Sequence, residues 1–346
     1  MSNGLLSIIT VRSDSTRLPN KALLPIKSFM PGETRKQTLP LIVWLIRRCR
    51  QLNAPLVAAT TNEDADNELA RVIRAEGIEC IRGSKDDVID RMNLVIMEGQ
   101  YPGVKTVQRL LGDCPFISTR IVSYAARRLE ETGKDAFVYA LPGDCFPVYG
   151  SREFPYSLAA WQRIVRDSEH REHPDMYFHL NRRKFNTLLH IGPDSIYFRP
   201  YRLELDTESD AQLIRVLGEE VGMLAPLRDA IRFLDKNPSV ARINSDQMEK
   251  TGPLNLSTYS NGKRVEWLMS MQGKEIMAFT GETLNPPDKQ ATPVFCNCGN
   301  LIGWGTTGRL HTKDGSIIDE GFPKCKNCGL FVRQWQKMIP RAEKAA

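Results

Sequence analysis

No apolar run in the sequence is longer than residues 41–46. A helix that crosses a bilayer takes about 20 apolar residues, so the sequence predicts no membrane-spanning segment. The first apolar stretch follows no basic segment, and Arg12 and Asp14 interrupt it early, so we also expect no signal peptide. These absences predict a cytoplasmic protein that has no membrane partner.

Aromatic residues are few, at 8% of the chain, and the sequence has no internal repeat or low-complexity tract. Its 41% of hydrophobic and 25% of charged residues are nevertheless typical of a soluble globular protein. The length of 346 residues indicates two domains, or one large domain with an appendage. The net charge is only +6, but 12 basic and 8 acidic residues follow position 250, so this part can contact an anionic partner.

The eight cysteines fall into two groups. Four stand singly, as reduced cytosolic thiols do: Cys49, Cys80, Cys114 and Cys145. The other four form a C-x-C pair and a C-x-x-C pair that are 26 residues apart: Cys296, Cys298, Cys325 and Cys328. This spacing predicts a tetrahedral Zn²⁺ site. Four thiolates leave no position for water, so we expect a structural zinc ribbon that docks a protein or, as the alternative, a nucleic acid.

Apolar β-prone runs alternate with segments of helical period through the first 220 residues, which predicts βα units around a mainly parallel sheet. The predicted strands are 5–11, 56–59, 78–81, 104–110, 136–140 and 202–205. The predicted helices are 39–52, 64–76, 86–98, 118–131, 208–221 and 224–234. We expect three parts: an α/β nucleotide-binding domain (1–245), a β-prone connector (246–289) and the zinc ribbon (290–346).

The loop after the first predicted strand reads V-R-S-D-S-T-R-L-P-N-K and sets Arg12, Arg17 and Lys21 among small hydroxyl residues. Ligands of open α/β sheets bind beyond the carboxyl ends of the strands, where this loop lies. Three cations and free backbone N–H groups can hold a polyphosphate, although the loop is neither a Walker A motif nor G-x-G-x-x-G. The alternative is a basic loop that is simply solvated.

Asp113 follows the strand at 104–110, and Asp206 follows the strand at 202–205. Two carboxylates at neighbouring strand ends can hold a Mg²⁺ ion that bridges phosphates. Either residue could instead cap the N-terminus of a helix, and Asp206 directly precedes a predicted one.

Six motifs follow one another in the first 220 residues: S-T-R-L-P-N-K (15–21), A-T-T-N (59–62), R-G-S-K-D-D-V-I-D-R (82–91), R-L-L-G-D-C-P-F-I (109–117), R-E-H (171–173) and L-D-T-E-S-D (205–210). In order and spacing they resemble the cytidylyltransferases that make CMP-sugars. The resemblance is to the SpsF-like spore-coat polysaccharide branch, and the motifs are also similar to those of CMP-Kdo synthetases. It implies a Rossmann-like nucleotidyltransferase fold of the glycosyltransferase-A-like kind, and frequent homodimers.

The resemblance implies that a sugar, most readily an acidic one, attacks the α-phosphate of CTP in the presence of Mg²⁺ and releases pyrophosphate for surface glycan synthesis. The cations implied to hold the triphosphate are Arg12, Arg17 and Lys21. The implied ligands of Mg²⁺ are Asp113 and Asp206, of which Asp113 is also catalytic. The residues implied to line the nucleotide and acceptor pocket are Ser15, Arg82, Gly83, Ser84, Arg109, Arg171 and His173. For His173 a structural hydrogen bond is the alternative.

Three features depart from the resembled pattern. Asp14 stands where relatives have Gly or Ala beside the phosphates, Asn20 replaces the Gly of the signature, and residues 28–38 are an extra segment. They favour an alternative in which the fold is kept for binding or scaffolding through the zinc ribbon. A further alternative is a transferase that uses a polyol phosphate as its acceptor.

Overall fold

The structure, a computed structural model, describes residues 4–99, 101–139, 148, 150–151, 155–181, 184–190, 201–245 and 247. Beyond them it describes six short strands between residues 267 and 318. In the described part of the chain, no helix combines the length and the apolar composition that crossing a membrane requires.

The described residues before position 248 contain nine strands: β1 (Leu5–Thr10), β2 (Pro25–Phe29), β3 (Lys36–Pro40), β4 (Leu56–Thr61), β5 (Glu79–Gly83), β6 (Thr106–Leu111), β7 (Ala136–Tyr139), β8 (Pro155–Ser157) and β9 (Thr187–His190). Seven of them form one sheet in the order β5-β4-β1-β6-β8-β7-β9. Only β8 runs antiparallel to its neighbours in this sheet. The predicted α/β fold with a mainly parallel sheet is therefore confirmed.

The described helices are α1 (Leu41–Cys49), α2 (Asn67–Ala75), α3 (Val88–Glu98), α4 (Thr119–Thr132), α5 (Leu158–Asp167), α6 (Pro174–Leu180), α7 (Glu208–Glu220), α8 (Leu227–Lys236) and α9 (Pro238–Ala241). They cover both faces of the sheet. Leu6 and Ile8 of β1 pack in one core with α3, α5 and α6. Leu5 and Ile9 pack in another core with α1, α2 and α4. Burial of both faces explains why β1 is almost continuously apolar.

Three predicted elements differ from the structure. The predicted helix 39–52 comprises the end of β3, α1 and a 3-10 turn (Arg50–Leu52). Residues 202–205 form no strand, because the backbone N–H of Leu205 donates to Asp113 O (2.8 Å) and that of Asp206 donates to the Asp210 carboxylate (3.1 Å). The predicted helix 64–76 begins with a 3-10 turn (Asp64–Asp66), and α2 follows it.

The extra segment at 28–38 belongs to an antiparallel hairpin, in which β2 pairs with β3. This hairpin packs against α7. Its Ile26 is fully buried, and its Ser28 hydroxyl accepts a hydrogen bond from Met223 N (2.8 Å). The hairpin is therefore anchored to the core through Ile26 and Ser28, while residues 31–36 of the insertion are exposed.

The C-terminal strands form two antiparallel sheets. One consists of β10 (Trp267–Met269) and β11 (Glu275–Met277). The other, in chain order, consists of β12 (Thr292–Phe295), β13 (Leu301–Thr306), β14 (Arg309–Thr312) and β15 (Ile317–Ile318). The cysteines of the predicted zinc site lie outside the described residues: Cys296, Cys298, Cys325 and Cys328. The zinc ribbon and its partner stay predictions.

Candidate functional site

The loop after β1 folds back on itself through its backbone. Ser13 O accepts hydrogen bonds from Ser15 N and Asn20 N, both at 3.0 Å. Asn20 has φ 55° and ψ 25°, in the left-handed region that Gly adopts freely and Asn adopts more readily than most residues. Asn20 therefore keeps the backbone geometry that the signature Gly would provide. The Ser15 hydroxyl accepts from Leu18 N (3.4 Å) and stays within the loop.

Lys21 joins this loop to two distant carboxylates. Its Nζ lies 2.5 Å from Asp113 Oδ2 and 2.5 Å from Asp206 Oδ1. Burial lowers the pKa of Lys21, but the charges of Asp113 and Asp206 more than offset this effect, and the pKa lies above its ordinary value. Arg17 also contacts Asp206, at 2.9 Å. Four residues predicted for phosphate and metal binding are thus brought together at one edge of the sheet.

A third carboxylate, Glu204, completes this acidic cluster. Ligand oxygens of Asp113, Glu204 and Asp206 all lie within 4.8 Å of one another. Burial, followed by the charges of Asp113 and Asp206, raises the pKa of Glu204 to about 7. Glu204 was not predicted from the sequence. The signal for it is the alternation of polar and apolar residues in R-L-E-L-D at 202–206, in which Leu203 and Leu205 are fully buried in the core and Glu204 lies between them.

Asp206 is held by a buried network that the sequence analysis also missed. Arg202, only 2% exposed, donates to Asp206 (2.8 Å) and to Asp210 (3.2 Å). The side chain of Asn244 donates to Asp210 Oδ1 at 2.7 Å and to Arg202 O at 3.0 Å. Burial raises the pKa of Asp206, but Lys21, Arg17 and Arg202 outweigh it, and the pKa is lowered. Asp206 is therefore positioned as a carboxylate.

The capping alternative is wrong for both aspartates. The N-cap of α4 is Ser118, whose hydroxyl accepts from Ile121 N. The N-cap of α7 is Thr207, which forms a capping box with Asp210. Neither Asp113 nor Asp206 caps these helices, so both carboxylates are available to the acidic cluster.

A cavity of about 250 Å³ separates the β1 loop from the end of β4. Asp66 forms part of its wall, and its carboxylate accepts from Ser13 N (2.6 Å) and Thr61 N (3.3 Å). Asp14 also lines the cavity, where it pairs with Lys85, and this pairing lowers the pKa of Asp14. The negative charge of Asp14 is thereby neutralised without metal, and it is no part of the acidic cluster.

The residues at 82–84 support the cavity from outside. Arg82 donates to Thr61 O (2.7 Å), to Glu63 O (2.8 Å) and to the Asn67 side chain (2.7 Å), so its guanidinium is occupied by the protein. The Ser84 hydroxyl accepts from the backbone N–H of Asp87 (3.2 Å). Gly83 has no room for a side chain, because a Cβ atom there would lie 2.8 Å from Arg91 Cγ.

The remaining predicted residues lie on the side of the sheet that α3 and α6 cover. Their ion pairs are Arg12–Glu172 (3.0 Å), Arg109–Asp175 (3.3 Å) and Arg171–Asp87 (2.7 Å). His173 is exposed at the N-terminus of α6 and makes no side-chain capping bond. Apart from Ser15 in the β1 loop and residues 82–84, the predicted residues thus form two groups: the Lys21 group with the acidic cluster, and an arginine group.

The chain has the Rossmann-type α/β fold of nucleotidyltransferases. A model of the cytidylyltransferase family matches residues 6–224, and the chain belongs to this family. The expected enzyme class, cytidylyltransferase, is confirmed. The C-terminal hundred residues lie outside the match.

Two relatives are similar over most of their own length. An uncharacterized protein of Methanocaldococcus jannaschii is 26% identical over 250 residues, which are 71% of this chain and 97% of that protein. The spore coat polysaccharide biosynthesis protein SpsF of Bacillus subtilis is 28% identical over 247 residues, 69% of this chain and 97% of SpsF. A solved cytidylyltransferase from Leptospira borgpetersenii has a TM-score of 0.57 at 23% identity, and the match covers 68% of this chain and 96% of that one. This last similarity shows the fold.

Proposed function

We propose that this cytidylyltransferase moves CMP from CTP to a sugar, with an acidic sugar as the favoured acceptor, in the synthesis of a surface glycan. An acceptor oxygen forms a bond to the α-phosphorus, the bond from that phosphorus to the β-phosphate breaks, and pyrophosphate leaves. The glycan role rests on the similarity to SpsF, whose name places that protein in polysaccharide biosynthesis.

One observation carries the proposal: Lys21 Nζ lies 2.5 Å from carboxylates of both Asp113 and Asp206. Cations and carboxylates gathered at one sheet edge suit phosphoryl transfer, which depends on positioning and on neutralising charge. We assign Arg17 and Lys21 to the triphosphate, together with Arg12, which lies on the other side of the β1 loop. Arg109, Arg171 and His173 are assigned to the acceptor side.

The acidic cluster fits a magnesium ion. Carboxylate oxygens are the ligands that Mg²⁺ prefers, and three are available from Asp113, Glu204 and Asp206. When bound, Mg²⁺ would neutralise phosphate charge and stabilise the leaving pyrophosphate. Lys21, Arg17 and Arg202 keep Asp206 ionised, and the hydrogen bond from Arg202 orients it.

The proposal is tested with the full-length protein in a thermal-shift series against CTP, UTP, GTP, ATP and dTTP, with and without Mg²⁺. Ligand at 100 times its Kd stabilises the native state by about 2.7 kcal/mol. We expect a Mg²⁺-dependent shift that is largest with CTP, followed by pyrophosphate release with a sugar acid in an acceptor panel that includes a polyol phosphate. If none of the five nucleotides shifts the thermal midpoint, the proposal is contradicted.

A matched pair of variants tests the role of Lys21. Lys21→Met should remove the CTP shift and lower pyrophosphate release by about 100-fold or more, because the cation facing the phosphates is lost. Lys27→Met should retain the CTP shift and the pyrophosphate release. Lys27 lies on the β2–β3 hairpin, is half-exposed and pairs with Glu219 of α7 (3.5 Å). Equal CTP binding by Lys21→Met and the wild type would remove Lys21 from the nucleotide site.

A further inference from the structure

Four arginines lie around the first turns of α3 and α6: Arg12, Arg91, Arg109 and Arg171. Three of them have a carboxylate partner, in the pairs Arg12–Glu172, Arg109–Asp175 and Arg171–Asp87. The fourth, Arg91, makes no ion pair with any residue that the structure describes. The cluster therefore has four guanidinium groups but three paired carboxylates.

Arg91 is also the most deeply buried of the four, with 2% of its surface exposed. Its Nε and Nη1 are buried and have no hydrogen-bond partner within the described part of the chain. Burial, with the nearby charges of Arg12 and Arg109, lowers the pKa of Arg91 to about 10, so the group stays charged at neutral pH. Asp66 and Asp87 are close enough to act on Arg91 through their charges, but among the described residues no carboxylate pairs with it, although buried charges in proteins normally are paired.

The fold holds the Arg91 side chain in place. A Cβ atom on Gly83, at the end of β5, would lie 2.8 Å from Arg91 Cγ and 3.0 Å from Leu94 Cδ1. The absence of a side chain at Gly83 lets the stem of Arg91 pack directly against the strand. Because a fixed guanidinium loses little freedom when it binds, Arg91 is prepared for a ligand.

We propose that Arg91 binds an anionic group of the acceptor, a carboxylate or a phosphate ester. A guanidinium binds either group through two parallel N–H bonds. The inference rests on the proposed function, which supplies the acceptor.

Position argues for the acceptor and against the nucleotide. Arg17 and Lys21 contact the acidic cluster, which is the end assigned to the triphosphate. Arg91 lies on α3, where Ile89 N donates to Arg171 O (3.1 Å) and so ties the helix to the segment before α6. Glu172 is half-exposed on that segment, so its pair with Arg12 is weak.

The test uses the full-length wild type, Arg91→Met and Arg127→Met. Methionine keeps most of the stem volume without the charge. Arg127 is the control because it is exposed on α4 and pairs only loosely with Glu131 (3.7 Å). Each protein is titrated with CTP–Mg²⁺ and, separately, with glucuronate, glucose 6-phosphate and uncharged glucose, and its thermal midpoint without ligand is recorded.

We expect the wild type to bind one or both charged sugars more tightly than glucose. Arg91→Met should lose about tenfold or more of that affinity, keep CTP–Mg²⁺ binding within about twofold, and have an unliganded midpoint at or above that of the wild type. Arg127→Met should match the wild type throughout. The result with glucuronate against glucose 6-phosphate identifies the anion.

Three outcomes would overturn the inference. In the first, the wild type prefers neither charged sugar over glucose. In the second, Arg91→Met loses as much affinity for CTP–Mg²⁺ as for the charged sugar. In the third, the thermal midpoint of Arg91→Met without ligand falls clearly below that of the wild type. If the wild type instead fails to bind CTP–Mg²⁺ but binds a charged sugar through Arg91, the anion site stands and the proposed function is wrong.

Discussion

Lys21 and Asp206 are 185 positions apart in the chain, and Lys21 Nζ lies 2.5 Å from Asp206 Oδ1. The sheet brings them together, because β1 and β6 are neighbours and their carboxyl ends share one edge. The backbone N–H of Leu205 then donates to Asp113 O (2.8 Å) and fixes the segment that carries Asp206 beside β6. The contact is thus a product of topology, and it closes the candidate site.

Replacing Asp113 should separate function from stability. Asp113→Asn removes one ligand oxygen from the acidic cluster, and it relieves repulsion among three neighbouring carboxylates, two of which pair with Lys21. We therefore expect pyrophosphate release to fall by about 100-fold or more while the thermal midpoint stays near that of the wild type. Activity assays and thermal unfolding of the purified variant check this. A midpoint that falls together with the activity would indicate a structural role for Asp113.

Glu204 predicts a pH dependence of stability in metal-free protein. Its pKa is about 7 in the folded state against 4.5 for the unperturbed group, so between these values the folded state binds more protons than the unfolded state. The free energy of unfolding should therefore fall as the pH rises from about 4.5 to about 7. Denaturant unfolding in EDTA, with Glu204→Gln as the reference, measures the effect. The variant should show a smaller fall over this range, and an identical slope would show that Glu204 does not titrate as described.

Asn244 should act on the acidic cluster only through other residues. It is buried and donates to Asp210 and to the backbone of Arg202, which in turn holds Asp206. Asn244→Ala leaves the Arg202 carbonyl without this donor and removes one of several donors to Asp210, so we expect a loss of about 1–3 kcal/mol in the free energy of unfolding. We also expect a higher Mg²⁺ concentration for half-maximal activity. Unchanged Mg²⁺ dependence at reduced stability would limit Asn244 to a structural role.

The C-x-C and C-x-x-C motifs predict bound zinc. Elemental analysis of the purified chain should find about one Zn per chain, as four thiolates bind one tetrahedral ion. Cys325→Ser should lose the metal, whereas Cys145→Ser, at one of the singly placed cysteines, should retain it. CTP affinity should be the same in both variants, because the zinc is expected to be structural. Zinc retained by Cys325→Ser would contradict the proposed ligand set.

Much of the fold could be predicted because burial imposes simple patterns. β1 lies between two helical layers and is therefore almost continuously apolar, and α4 begins at a serine cap and ends before Gly133. Short-range patterns of this kind are visible in the sequence. Residues 202–205 do not form the predicted strand, because an alternation of polar and apolar residues in the sequence is the same for a β-strand and for an extended segment outside the sheet.

The candidate site was harder to predict because side-chain partners depend on tertiary contacts. Arg82 reads as a pocket cation, yet its guanidinium binds the carbonyls of the loop after β4. Glu204 and Arg91 carry charge in segments where exposed charges are common, and only the packing around them shows that both are buried. What the sequence did indicate correctly is the sheet edge at which Lys21, Asp113 and Asp206 meet.

The backbone conformation of Asn20 can be tested against that of Asn53, a matched residue elsewhere in the chain. Asn20 and Asn53 both have positive φ, at 55° and 51°, but only Asn20 lies in the β1 loop. A β-branched residue is strained in this region, so Asn20→Val and Asn53→Val should each lose about 1–3 kcal/mol of stability. Only Asn20→Val should also weaken CTP–Mg²⁺ binding, since it distorts the backbone before Lys21. Asn20→Gly should bind CTP like the wild type, because glycine adopts this conformation without strain. Calorimetric titration at a temperature where all variants are folded separates the two effects, and equal CTP affinity in Asn20→Val and Asn53→Val would show that the loop conformation does not control nucleotide binding.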